Sequence, residues 1–323
     1  MNVEYSENSD YSEYSEYSEY SEYSEYSEKP LIMKNSILFS PFTFPFLLAL
    51  DVDGTLTRPD GTISLRTVNV IKELQRSGAV LCIASGRPPL GIRPVAELLG
   101  MDEFGGYIIG FNGGVLMDYA TGQVLYTATL PSEALRVIAE CSRRPGHTVL
   151  TYVDDEICTE DATDPYVHIS HQRNGMPVRE VADILTDLSA GTLPKCIITS
   201  DPCEMPALQR EVTARLYGMA DAYLSEAYFL EVVPRGTDKA DALVRLLEHL
   251  GLSHGNLIAA GDGYNDMGMI RLAALGIAMS NAHPDVRHVA DVVAPSNADD
   301  GLAQVLENCL PESTGPSLVL SHP

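Results

Sequence analysis

Leu48-Ala49-Leu50-Asp51-Val52-Asp53-Gly54-Thr55 sets an unbroken apolar segment directly against two acids and a turn glycine. A segment without polar alternation reads as a strand buried on both faces, the kind found in parallel sheets. The apolar stretch leading into it, from Ser36, is interrupted by Pro41 and Pro45 and has no small-residue cleavage site, which argues against a secretory leader. Downstream the pattern alternates. A helix is expected from Ser64, a good N-cap, to Gly78, with Leu65, Val68, Ile71 and Leu74 on one face. Short apolar runs at Ala79–Ala84 and Tyr107–Phe111 flank a helix over Pro89–Leu99. The alternation returns near the C-terminus. There a helix Asp238–Leu250 capped by Thr237 precedes strand Asn256–Ala260, a helix after Tyr264, strand Gly276–Met279 and helix Ala298–Leu306. Strands alternating with helices predict an α/β fold with a doubly wound, Rossmann-like parallel sheet.

The middle of the chain has another character. Val115–Tyr119 and Val124–Thr129 flank the turn Ala120-Thr121-Gly122-Gln123, and Thr148–Val153 with Ile157–Thr159 reads as a second hairpin. Helices are expected at Leu135–Ala139, Val178–Leu188 and Ala207–Leu216, and strands at Lys195–Thr199, Ala222–Leu224 and Phe229–Val233. Hairpins mixed with helices describe an inserted α+β cap domain. The expected division is a core over 44–116 and 230–310, a cap over 117–229, and tails over 1–30 and 311–323.

Charge narrows the function. The 323 residues hold 45 Asp and Glu against 21 Lys and Arg, a net −24. Residues 1–29 hold nine acids and one lysine, a net of −8. Seven Tyr-Ser-Glu copies begin at Tyr5 and then recur from Tyr11 to Tyr26. A period of three fits neither helix nor strand and one residue in three repels its neighbours, so disorder without a part in the chemistry is expected. The remaining 294 residues carry −16. This balance excludes nucleic acid and anionic membrane as partners, which need clustered cations. No apolar run is long enough to span a bilayer. Six cysteines without a Cys-x-x-Cys pair point to reduced thiols and a cytoplasmic protein.

The chemistry gathers at strand ends. Asp51 and Asp53 stand one residue apart past the first strand, where open α/β sheets bind ligands. One carboxylate can attack an electrophile while the other handles protons. The second strand ends in Ser85-Gly86-Arg87, which offers a hydroxyl and a backbone N–H, and the third in Asn112-Gly113-Gly114. Lys239 lies at a helix N-terminus, where a cation is misplaced unless an anion joins it. Gly261-Asp262-Gly263-Tyr264-Asn265-Asp266 brings two more acids and a carboxamide to the same edge. Four converging carboxylates repel unless a cation sits among them, and an all-oxygen donor set selects a hard ion, best matched by Mg²⁺.

Asp51-x-Asp53-x-Thr55, Ser85, Lys239 and Gly261-Asp262-x-x-Asn265-Asp266 resemble, in order, the four motifs of the haloacid dehalogenase superfamily. Phe111-Asn112-Gly113-Gly114, Phe229-Leu230-Glu231 and Gly276-Ile277-Ala278-Met279-Ser280-Asn281-Ala282 are similar to the Cof-type sugar-phosphate phosphatases with a class IIB cap. The resemblance covers about 46–308. It implies that Asp51 is the nucleophile that forms an aspartyl-phosphate, and a Mg²⁺ ligand. Asp53 is implied as the acid/base, with its backbone carbonyl on the metal. Val52 N–H, Ser85, Gly86 N–H, Lys239 and Asn265 are implied to hold the phosphoryl group, and Lys239 also to neutralise charge on the nucleophile. Asp262 is implied as a metal ligand, with Asp266 and Asn112 behind these groups. The substrate implied is a small phosphorylated metabolite. Ala240 after the lysine and Ser85 in place of a commoner threonine depart from the family pattern without removing a reactive group.

Alternatives are a phosphomutase, since Asp51–Thr57 also resembles phosphomannomutases, and a non-enzymatic phosphosugar sensor. Asp53 argues against an ion pump or a dehalogenase, and the filled catalytic positions argue against a sensor. On the cap, Tyr152, Asp154, His168, His171 and Arg173 are expected on loops, with no substrate contact assigned to any of them.

Overall fold

The computed structural model describes residues 45–187 and 192–310. The Tyr-Ser-Glu repeat, the apolar residues before 45, Leu188 and the C-terminal tail lie outside the described residues. Strands β1 (Leu47–Leu50), β2 (Val80–Ala84), β3 (Tyr107–Gly110), β4 (Val115–Asp118) and β5 (Val124–Thr127) come first. Then follow β6 (Thr148–Val153), β7 (Glu156–Thr159), β8 (Val178–Glu180), β9 (Cys196–Thr199), β10 (Ala220–Glu226) and β11 (Phe229–Pro234). The chain closes with β12 (Leu257–Gly261), β13 (Leu275–Met279) and β14 (Val292–Ala294). These strands form a large sheet in the order β14-β13-β12-β1-β2-β3-β4-β5 and a small one in the order β10-β11-β9-β6-β7-β8.

The large sheet is parallel from β14 to β3, with helices on both faces. Leu48 and Leu50 pack with Ile71, Leu74 and Ile92 on one side, while Leu47 and Ala49 pack with Ala242, Leu243 and Leu246 on the other. Every residue of β1 is buried, which is why the strand carries no polar alternation. The register sets Leu50 beside both Ala260 and Ile83, so the carboxyl ends of β1, β12 and β2 lie level. Whatever follows those strands shares one edge. The doubly wound sheet with an α+β insert is the observed architecture.

Details depart from expectation. The hairpin of β4 and β5, expected in the insert, pairs antiparallel onto β3 and widens the large sheet. Strand β11, expected at the return to the core, pairs with β9 and β10 in the small sheet. By sheet membership, then, the chain leaves the large sheet after Thr127 and re-enters its layer with the helix Lys239–Leu250. The expected helix Val178–Leu188 is strand β8, parallel to β7, followed by one helical turn at Ile184–Asp187. A three-residue edge strand is too short to show a period. His168, His171 and Arg173 are not on a loop but on a helix, Pro165–Asn174. Asp164 caps that helix and Gly175, at φ 65°, ends it; only Val167 and Ser170 are buried, so its apolar stripe is weak. Tyr152 is likewise buried on β6. The cap of helix Lys239–Leu250 is Asp238, whose carboxylate accepts from Ala240 N at 2.5 Å, while Thr237 donates to Pro234 O. No described helix is long and apolar enough to cross a membrane.

Candidate active site

Asp51 follows β1 and is tied to the neighbouring strand by its N–H, which donates to Ala260 O at 3.0 Å. The chain then turns through Val52–Leu56, with Gly54 at φ 83°. A Cβ on Gly54 would lie 2.2 Å from Asp262 Oδ2, so glycine is required both by the backbone and by the close approach of that carboxylate. Asn281 Nδ2 donates to Gly54 O at 2.9 Å and fixes the turn from the far side.

Lys239 ties the acids together. Its Nζ donates to Asp51 Oδ1 at 2.7 Å and to Asp266 Oδ1 at 2.6 Å, and all three residues are buried. Asp266 Oδ2 accepts from the N–H groups of Asp262 and Gly263 at 3.0 and 2.9 Å. Both oxygens of Asp266 are therefore committed to holding Lys239 and the loop. Thr55 donates to Asp262 Oδ1 at 2.7 Å, which leaves Oδ2 facing the Gly54 turn. Oxygens of Asp51, Asp262 and Asp266 lie within 4.8 Å of one another.

One ammonium against three carboxyls leaves this cluster short of positive charge, and the acids register it. Burial pushes the Asp51 carboxyl up to about 8, with Asp266 adding to the rise and Lys239 opposing it. Burial also pushes Asp262 up to about 6, against the hydrogen bond from Thr55. Burial alone would lower Lys239, but Asp266 and Asp51 outweigh it and hold the ammonium above its ordinary value. A divalent cation fits such a donor set: it carries the missing charge, and the donors are all carboxylate oxygens. Asp51 and Asp262 are the carboxylates with an uncommitted oxygen to offer it.

The remaining residues ring this cluster. Asp53 is exposed, with both oxygens held by the Arg87 guanidinium (Nε to Oδ2 at 2.8 Å, Nη2 to Oδ1). Ser85 is buried at the end of β2, where its N–H donates to Ile109 O and its hydroxyl accepts from Arg87 N at 3.2 Å. Asn265 donates from Nδ2 to Asn112 Oδ1 at 2.9 Å. The fold thus gathers at one sheet edge the residues named from the strand-end motifs: Asp51, Val52, Asp53, Ser85, Gly86, Asn112, Lys239, Asp262, Asn265 and Asp266. Sequence reasoning gave no role to Arg87, Thr55 or Tyr223, whose phenol accepts from Asn112 Nδ2 at 3.1 Å. The first two stand inside quoted motifs. Tyr223 carries no local signal, because its partner is 111 residues away.

A family profile described as haloacid dehalogenase-like hydrolase matches residues 48–306. The HMP-PP phosphatase of Yersinia pseudotuberculosis is 31% identical over 245 residues, which is 75% of this chain and 86% of that protein. Among solved structures, a haloacid dehalogenase-like hydrolase from Bacteroides thetaiotaomicron is similar at 41% identity and a TM-score of 0.77, covering 81% of this chain and 98% of its own. The HAD subclass IIB sugar phosphatase BT4131 shares the fold at 22% identity and a TM-score of 0.68, over 81% and 98% of the two chains.

Proposed function

Because the chain belongs to the haloacid dehalogenase-like hydrolases and is a phosphatase of that family, we propose that it is a Mg²⁺-dependent enzyme that hydrolyses phosphate monoesters of small metabolites, sugar phosphates foremost. The observation that carries the reading is the buried Lys239 bridging Asp51 and Asp266 beside Asp262, at the carboxyl edge of a parallel sheet. That edge offers a carboxylate nucleophile, a fixed cation and a donor set for a hard ion in one place.

In this reading Asp51 attacks phosphorus through the oxygen that Lys239 does not hold. Asp53 leaves Arg87, takes up a proton from solvent and gives it to the departing alkoxide; it then takes one from the water that cleaves the aspartyl-phosphate and releases it to solvent as it returns to Arg87. Inorganic phosphate leaves and both carboxyls are restored. The N–H groups of Val52 and Gly86, the Ser85 hydroxyl and the Asn265 carboxamide hold the phosphoryl oxygens in line with Asp51. Phosphoryl transfer asks mainly for such positioning and charge stabilisation. Asp51, Asp262 and the Asp53 carbonyl would hold Mg²⁺, which would supply positive charge to the phosphoryl oxygens and keep the carboxylates ionised. The purified protein is expected to release phosphate from members of a panel of phosphorylated metabolites with Mg²⁺, and to stop when the metal is chelated. Turnover of no phosphoester contradicts the proposal.

The acids also predict a pH effect on stability. Asp51 at about 8 and Asp262 at about 6 hold protons that the unfolded chain, with carboxyls near 3.9, releases earlier. Their contribution is present in full below about pH 4 and is lost as pH rises through those folded values. Mg²⁺ competes with the same protons, so it stabilises more where they have left. Saturating Mg²⁺ is expected to raise the melting temperature more at pH 8 than at pH 5.5, by a few degrees, roughly 1 kcal/mol. Equal gains at the two pH values would mean that these carboxyls do not take the ion.

A further inference from the structure

We propose that Asn112 and Tyr223 are positioning residues that select the phosphoryl-binding rotamer of Asn265 and make it depend on the seating of the small sheet. The inference rests on the phosphatase reading above, in which Asn265 donates to the phosphoryl group. Asn265 is exposed, with its Oδ1 lying over Gly263, where a Cβ would come within 2.3 Å; glycine leaves the carboxamide room there, and hydrogen bonds have to hold it. To bind a phosphoryl oxygen its carboxamide has to present N–H and not C=O. An acceptor fixed beside its nitrogen makes that choice, and Asn112 Oδ1 is that acceptor, leaving the second N–H of Asn265 for the ligand.

Asn112 is held from several sides. Its N–H donates to Ser85 O at 3.0 Å, and the preceding Phe111 N–H donates to Arg87 O at 3.0 Å. Its carboxamide lies against Gly86, where a Cβ would come within 3.1 Å of Oδ1. Phe111 and Asn112 both adopt positive φ, 53° and 56°, a strained backbone for a phenylalanine that persists only where its surroundings impose it. The imposing contacts include the small sheet: the Phe111 ring packs on Tyr152 of β6 at 5.0 Å between centroids, and Asn112 Nδ2 donates to Tyr223 of β10. One strained turn therefore touches the phosphoryl-binding loop, the Asn265 carboxamide and two strands of the cap. A small sheet that moves off the edge takes the Tyr223 phenol with it and releases Asn112, and through it Asn265. Substrate held under a seated cap is bound by an ordered carboxamide, and substrate under a displaced cap is not.

A double-mutant cycle tests this, with Tyr223→Phe and Asn265→Ala made singly and together in the full chain. Tyr223→Phe is expected to raise KM, and the dissociation constant of inorganic phosphate measured with Mg²⁺, by about five- to tenfold, with kcat within about twofold. In the Asn265→Ala background the same substitution is expected to add less than about twofold, because the group it acts through is gone. An unchanged KM in Tyr223→Phe overturns the relay, as does an equal penalty in both backgrounds, the mark of a merely structural tyrosine. A wild-type protein that neither turns over any phosphoester nor binds phosphate refutes the phosphatase reading itself. An active wild type with an additive cycle refutes the relay alone.

Discussion

Asp51→Asn is expected to lower phosphate release by at least about three orders of magnitude while leaving the fold intact. The size follows from the proposed chemistry. If the carboxylate forms the covalent bond to phosphorus, its replacement removes the pathway and not one stabilising contact. The fold should survive because the carboxamide oxygen of asparagine still accepts from Lys239, which keeps Asp266 as its counter-charge. The charged form of Asp51 is already disfavoured by burial and by Asp266. A neutral group of the same shape relieves that cost, so the metal-free variant should melt no lower than the wild type. Phosphate release and a thermal melt on the same preparation check both halves. Turnover near the wild-type rate would move the nucleophile elsewhere.

Much of the fold was legible because burial leaves a simple mark on a parallel sheet. Leu47–Leu50 and Leu257–Gly261 are buried on both faces and read as continuous apolar runs, and Ser64 marks its helix by capping it. What periodicity cannot say is which sheet a strand joins. β4 and β5 look like any hairpin, and only pairing with β3 puts them at the edge of the large sheet. The same holds for β11, whose partners β9 and β10 precede it in the chain.

The candidate site was legible where its residues fall together on one turn. Asp51 with Asp53, and Asp262 with Asn265 and Asp266, are local groups at strand ends, and level strands bring them together. Side-chain pairings between distant segments were not. Nothing near Arg87 announces that it grips Asp53, 34 residues away, and nothing near Tyr223 points to Asn112. The residues that would face a substrate from the cap share this difficulty. His168 and His171 lie side by side on one helix, tilted at 30° with 5.8 Å between ring centroids, a geometry that follows from helical spacing and names no ligand.

The second large effect concerns Asp53. In the proposed chemistry it is general acid and then general base and so would serve both half-reactions, and such a group contributes typically 10²–10⁴-fold. Asp53→Asn removes the proton transfer and keeps the shape. The loss should be uneven between steps. A substrate with a good leaving group, an aryl phosphate, needs little protonation, so Asp51 can still be phosphorylated. Water attack on the aspartyl-phosphate needs the base and becomes slow. The intermediate should then accumulate.

This makes one measurement the most direct test of the account: Asp53→Asn is mixed with Mg²⁺ and an aryl phosphate, quenched in acid, and its peptides are weighed. The account predicts one phosphoryl group, on the peptide that carries Asp51, formed with a burst of phenol and lost on standing. Phosphoryl on any other residue, or steady phenol release with no phosphorylated peptide, would contradict it.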